Sequence, residues 1–151
     1  MAYATIVVGY DETDAASRAL ARAADLAEKF GSTVVVASIA SLRVTPPNPI
    51  GGVLPGLDPA ERFAFETVNE LDEADHHLAA ARAYLGGRGI EPELVTAVGG
   101  PGERIVALAE ERNADLIVVG SHAHGFLDRF FAVSVTDDVV RQTSCDVLLV
   151  H

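Results

Sequence analysis

Residues 115–151 read DLIVVGSHAHGFLDRFFAVSVTDDVVRQTSCDVLLVH, and this stretch decides the fold. DLIVVG (115–120) is an apolar run of strand length, rich in β-branched residues. A loop with two histidines follows, then a segment of helical period over 134–143 that begins S-V-T-D. DVLLVH (146–151) closes the stretch as a second apolar strand. A strand, a crossover helix and another fully apolar strand imply a parallel pair, since two parallel strands need such a crossover between them. A strand, a loop and a helix N-terminus in that order also often hold a phosphate, so the same residues raise the question of function.

The same alternation runs back to the start of the chain. ATIVVG (4–9) reads as a strand. Residues 14–30 read as a helix, with Ala16, Leu20, Ala23, Ala27 and Phe30 recurring at spacings of three and four, and Gly31 standing where a C′ glycine ends it. TVVVASI (33–39) is a second strand. Asp58-Pro59-Ala60-Glu61 opens a long helix, with the aspartate as N-cap, proline at the first helical position and glutamate at the third. That helix runs to about Leu85 and stops at Gly86-Gly87. ELVTAV (93–98) is a third strand, and a short helix follows Gly100-Pro101 through about Arg112.

The order β-α-β-α-β-α-β-α-β predicts one α/β domain over residues 1–151, a single parallel sheet with helices on both faces. The strands are continuous apolar runs, as expected when both faces are covered. The exception to regular structure is ASLRVTPPNPIGGVLPGL (40–57), where four prolines and three glycines forbid helix or strand. At that length it reads equally as a lid, a partner surface or a variable surface loop.

Bulk properties narrow the function. The chain is 49% hydrophobic, enough for one packed core, yet no apolar run reaches the ~18 residues of a membrane span. The N-terminal segment MAYATIVVGYDE lacks the basic region and cleavage site of a signal peptide. A formal net charge of −11 argues against nucleic acid and anionic membranes as partners. The single cysteine, Cys145, reads as a small buried residue and fits a reducing, cytoplasmic setting. The only lysine, Lys29, lies in the first helix, so a P-loop lysine is absent.

In an open parallel sheet, ligands bind beyond the C-terminal ends of the strands, where the strand order reverses. Those ends are Gly9-Tyr10-Asp11, Ser38-Ile39-Ala40, Gly99-Gly100 and Gly120-Ser121-His122. VVGYDETD after the first strand has no G-x-G-x-x-G, which removes the dinucleotide reading. A phospho-acceptor receiver domain fails too: Asp11-Glu12 would supply its acidic pair, but VTAVGG supplies no aspartate and no lysine follows a late strand.

The pattern that remains resembles the universal stress protein family. The resemblance covers essentially the whole chain. It is carried by V-V-G-Y-D (7–11), G-G-P-G-E-R-I (99–105), A-D-L-I-V-V-G-S-H (114–122), S-V-T-D-D-V-V-R (134–141) and C-D-V-L-L-V (145–150), in that order. It implies the adenine-nucleotide alpha hydrolase-like arrangement, five strands in the order 3-2-1-4-5. It also implies a stress-response regulator that binds ATP or another adenine nucleotide, with Mg only alongside a triphosphate, and a homodimer paired through the C-terminal strand. The alternative within the family is a dimeric interaction module that binds no nucleotide. By resemblance, Tyr10 belongs to the nucleotide site, Asp11 lies at its ribose side and Ile39 beside the adenine. Gly120, Ser134 and the amide of Val135 face the phosphates, and His122 and His124 reach toward them.

This chain departs from the nucleotide-binding pattern of G-x-x-G, nine residues, then G-S or G-T. Gly120 and Ser134 match, but Ala123 and Val133 stand at the other two glycine positions. Glu12 stands where many members have glycine, and a carboxylate there repels polyphosphate. Val133 is the larger departure, because a branched Cβ crowds the phosphate and resists unusual φ. Ser134-Val135-Thr136-Asp137 also reads as a capping box, which needs no ligand. The His122-x-His124 pair has no visible third ligand for a metal. His76 and His77 follow Asp72 and Glu73 by four residues and read as helix-face charge pairs. The seven carboxylates between Asp58 and Asp75 read as a solvated helix face. No nucleophile elbow and no placed acid–base pair is present, so weak ATP hydrolysis is the most the sequence suggests as enzymology.

Overall fold

The computed structural model describes residues 2–40, 58–121 and 139–151. Five strands, β1 (Thr5–Gly9), β2 (Thr33–Ala40), β3 (Glu93–Val98), β4 (Leu116–Gly120) and β5 (Asp146–Val150), form one sheet. The order is β3-β2-β1-β4-β5, and every pairing is parallel. Three helices are bounded: α1 (Asp14–Phe30), α2 (Pro59–Gly86) and α3 (Pro101–Glu111). Residues 139–142 are also helical; the start of the last helix expected from Ser134 lies outside the described residues.

The period-2 alternation of each strand sorts side chains between two cores. Ile6, Val8, Val34, Val36, Leu116 and Val118 point to the side covered by α1 and α2. Val7, Val35, Ala37, Ile117 and Val119 point to the side covered by α3 and Val139. The three inner strands are buried on both faces, while β3 and β5, at the edges, are mostly half-buried. Leu20 and Leu85 are almost wholly buried, which for a leucine stabilises by roughly 2 kcal/mol apiece.

Capping explains where the helices begin and end. Thr13 accepts from the Ala16 N–H at the start of α1, and Gly31 closes it with φ of 69°. Asp58 accepts from Ala60 and Glu61 while Glu61 reaches back to the Asp58 N–H, so the capping box opening α2 is present. The buried stripe of α1 is the expected one, extended by Ala15, Ala19 and Ala24, but Phe30 is only half-buried, meeting Tyr3 edge to face at 5.9 Å.

Two boundaries shift by a residue for a visible reason. β1 starts at Thr5 and β4 at Leu116 because the Asp115 carboxylate accepts from the Ala4 and Thr5 N–H groups, each at 2.9 Å. The Asp115 carboxylate therefore pins the start of β1, while its N–H donates to the Thr5 carbonyl at 3.0 Å and its carbonyl accepts from the Asp146 N–H at 3.2 Å. At the same end of the sheet, Arg88 binds Glu28 at 2.7 Å and Asp25 at 2.8 Å, tying the end of α2 to α1. These carboxylates, Glu28 foremost, raise the pKa of its guanidinium.

Candidate functional site at the C-terminal edge of the sheet

The strand order puts the reversal of direction between β1 and β4, so the chain leaves β1 and β4 on opposite sides of one crevice. Tyr10, Asp11, Ile39 and Gly120 all stand at this edge, on three adjacent strand ends. His122, His124, Ser134 and Val135 lie outside the described residues, as do Ala123 and Val133.

At the end of β1 the Tyr10 N–H donates to the Ala37 carbonyl at 2.9 Å, extending the ladder one residue past the strand, and its half-buried ring packs against the core on the α1–α2 side. Asp11 Oδ1 accepts from both the N–H (3.2 Å) and the hydroxyl (2.6 Å) of Thr13. Thr13 Oγ1 in turn accepts from Ala16 N–H at 3.2 Å. Asp11 thus shapes the turn that launches α1. Between them Glu12 has φ of 58°, a left-handed conformation costly for a residue with a Cβ and without a short side-chain bond to offset it.

Gly120 has a packing role that the sequence did not disclose. A Cβ built on it falls 2.5 Å from the Ala15 carbonyl oxygen and 2.8 Å from the Ala16 nitrogen. Both are backbone atoms of the first turn of α1. Gly120 with Ala15 and Ala16 therefore lets α1 sit directly on the end of β4, independently of any ligand. Gly9 is looser: its Cβ would meet Ile105 Cδ1 at 2.9 Å, the movable tip of a side chain.

At the end of β2, Ile39 is half-buried on the α3 side. Its neighbour Ser38 faces the other way and is 2% exposed, a buried polar side chain in an apolar layer. Its hydroxyl lies 3.4 Å from His77 Nδ1 on α2, and one strand over Thr96 donates to Asp75 at 2.9 Å. His77 thus faces the sheet. No ion pair joins His76 or His77 to Asp72 or Glu73 among the described residues, which corrects the helix-face pairing expected from spacing.

At the ends of β4 and β5 three residues missed by the sequence reading come together. The Ser121 N–H donates to the Val150 carbonyl at 2.7 Å, and the Ser121 hydroxyl lies 2.7 Å from His151 Nδ1. Arg18, on the second turn of α1, donates through Nε to the His151 carbonyl at 2.9 Å. The signal was available in principle. Register pairs Gly120 with Val150, so 121 and 151 must lie side by side.

No group of three or more metal-ligating side chains is found among the described residues. Cys145 is half-buried rather than buried, with its sulfur 3.1 Å from Thr143 Oγ1. Among the described residues no helix is long and apolar enough to cross a membrane.

These features define the class: a doubly wound α/β domain with its open edge at the β1–β4 switch point. Residues 2–151 match the model of the universal stress protein family, and the chain belongs to that family. A universal stress protein of Mycobacterium tuberculosis is 28% identical to it, the match covering 99% of this chain and 97% of the relative. Among solved structures, a universal stress protein from Archaeoglobus fulgidus in complex with dAMP is 28% identical, with a TM-score of 0.63 and all of both chains covered. A universal stress protein in complex with cAMP is 27% identical, with a TM-score of 0.69 and 100% and 99% of the two chains covered.

Proposed function

We propose that this protein is a stress-response regulator that binds an adenine nucleotide at the C-terminal edge of β1, β2 and β4. The observation that carries the reading is full-length likeness, at 27% and 28% identity, to universal stress proteins whose structures hold cAMP and dAMP. Tyr10 and Asp11 take the ribose side, Ile39 the base, and Gly120, Ser134 and the Val135 amide the phosphates, with His122 and His124 alongside. The bound nucleotide biases a homodimer paired through β5, or a partner surface, and no chemical step is required of it. Mg enters only with a triphosphate, and the setting is cytoplasmic.

A second reading is a dimeric interaction module whose nucleotide site is closed. Two observations favour it: Val133 and Ala123 replace two motif glycines, and Gly120 is explained by α1 packing alone. Titration calorimetry with ATP, AMP and cAMP, with mass spectrometry of small molecules released from the purified protein, separates the two. Val133→Gly extends the test. Relief of crowding returns ~1–3 kcal/mol of binding, roughly a 5- to 150-fold gain in affinity. A folded variant that binds no nucleotide better than the parent removes Val133 as the gate. If the parent binds none either, the second reading stands.

A further inference from the structure

β3 is the edge of the sheet on the side away from β5, and its sequence does nothing to close it. Lysine, proline and bulges are the devices by which edge strands ordinarily avoid pairing with another chain. Glu93–Val98 contains no lysine and no proline, and its register against β2 runs on to Val98 without a bulge. Leu94 to Val98 are all half-buried. The single charge of the strand, Glu93, stands at its first residue and is bound by Arg112. β5, the opposite edge, is the strand placed in the proposed homodimer, so that dimer leaves β3 free.

Its outward backbone groups follow from the ladder. The Gly99 N–H donates to the Ala40 carbonyl at 3.1 Å, so residues 95 and 97 also turn their N–H and C=O toward β2. Leu94, Thr96 and Val98 turn theirs outward, and no hydrogen bond reaches those groups among the described residues. α2 covers the face that carries the Leu94 and Thr96 side chains, whereas α3 packs on β1, β2 and β4. Acidic groups line the α2 side. Thr96 Oγ1 donates to the exposed carboxylate of Asp75 at 2.9 Å, and Asp72 is one turn back on the same side of the helix. Val68, another turn back, is 55% exposed. Only one arginine stands among the seven carboxylates from Asp58 to Asp75.

We propose that the β3 edge takes an extended segment of another protein, added as a further strand, with a lysine or arginine opposite Thr96 and apolar residues on either side. The ladder to Leu94, Thr96 and Val98 supplies the affinity. The basic residue lies on the α2 face, where it meets Asp75. The apolar residues cover Val95 and Ala97 on one face, Leu94 and Val98 on the other. A second copy of this chain fits less well. Pairing β3 with β3 about Thr96 sets two Asp75 carboxylates side by side, in a chain of net charge −11. A basic strand meets the same carboxylate as a counter-charge.

The probe is the acetylated and amidated peptide TVVKVVT, titrated into the full chain at low ionic strength while amide hydrogen exchange is followed by NMR. One control peptide carries glutamate in place of the lysine. Another carries N-methyl groups on the outermost valines, which removes donors to the edge. The lysine peptide is expected to slow exchange at Leu94, Thr96 and Val98 by about tenfold or more. The N-methylated peptide is expected to leave exchange unaltered. The glutamate peptide on the parent, and the lysine peptide on Asp75→Asn, are expected to bind roughly two- to fivefold more weakly, the worth of an exposed ion pair. Thr96→Pro, checked by its melting temperature, removes an outward N–H without breaking the β2 ladder and is expected to abolish binding. Leu94, Thr96 and Val98 amides already protected in the dilute free chain would overturn the proposal, since the chain's own residues would then cover the edge. Protection that grows with protein concentration in the absence of peptide would put a second copy there and overturn it as well. Equal binding of the lysine and glutamate peptides, or of the N-methylated one, would do the same.

Discussion

Replacing Gly120 with alanine separates two explanations of the same residue. The new Cβ would lie 2.5 Å from the Ala15 carbonyl oxygen and 2.8 Å from the Ala16 nitrogen. Ordinary contact needs ~3.5 Å, so the first turn of α1 must retreat by about 1 Å. No rotamer change relieves this, because the obstructing atoms are backbone. The retreat also stretches the cap, since the Ala16 N–H is the group that Thr13 holds at 3.2 Å. Overpacking of this kind costs ~2–3 kcal/mol, and for a domain of this size that lowers the melting temperature by about 5–10 °C. Gly9→Ala is the control. Its obstruction is Ile105 Cδ1, which can swing away, so the cost there is about 1 kcal/mol or less. Thermal and urea denaturation of both variants, with an ATP titration of each, reads the result. A Gly120→Ala protein that melts with the parent and yet loses nucleotide would refute the packing account. The glycine would then be serving the ligand.

Three further outcomes are expected. Glu12→Gly relieves the left-handed conformation at φ of 58° and raises stability by ~1 kcal/mol after the entropy cost of glycine; a lower urea midpoint would contradict this. The hydrogen bond from Arg112 holds the Glu93 carboxyl below its usual pKa. That depression contributes stability which is present above the ordinary carboxylate pKa and lost as the pH falls through the lower, folded value. Arg112→Ala should therefore lower stability above the carboxylate range and approach the parent as the pH falls through it, which flattens the acid limb, and an unaltered acid limb would count against the linkage. Leu149→Lys, in the apolar edge strand β5, should yield monomer or insoluble protein if the proposed dimer forms there, and light scattering showing a monomeric parent ends that proposal.

Much of the fold was legible because its boundaries are chemical. Helix α1 begins at a threonine cap and ends at a left-handed glycine, and α2 begins at a complete capping box. Such signals involve neighbours in sequence, so a sequence can display them. The continuous apolar runs announced a parallel sheet for the same reason. The strand order came from family resemblance, since periodicity says nothing about which strands adjoin. What escaped the reading depends on direction across the fold. Spacing of four put His76 and His77 beside Asp72 and Glu73, but it does not say which side of α2 meets the sheet, and His77 turns inward to Ser38. Glutamate itself gave no sign of positive φ at position 12; the sign lay in the glycine that many family members carry there.

Gly120 shows why a glycine at a strand end is an ambiguous signal for a ligand. The same missing side chain serves two neighbours, the helix on one side and the crevice on the other. Here the helix side is accounted for atom by atom, so the glycine alone is no argument for a phosphate. The close approach of α1 has a further effect. By seating its first turn on β4, α1 carries Arg18 to the β5 end, within 2.9 Å of the His151 carbonyl, and so beside Ser121. A side chain at position 120 would push that turn away and move the guanidinium with it. The packing role of Gly120 and the Arg18–His151 hydrogen bond are therefore coupled through α1. Gly120→Ala should therefore cost stability partly by weakening the Arg18–His151 hydrogen bond, and that part of the loss, read by urea denaturation, should vanish when Arg18 has already been replaced by Gln. Losses that simply add in the combined variant would separate the packing from the hydrogen bond.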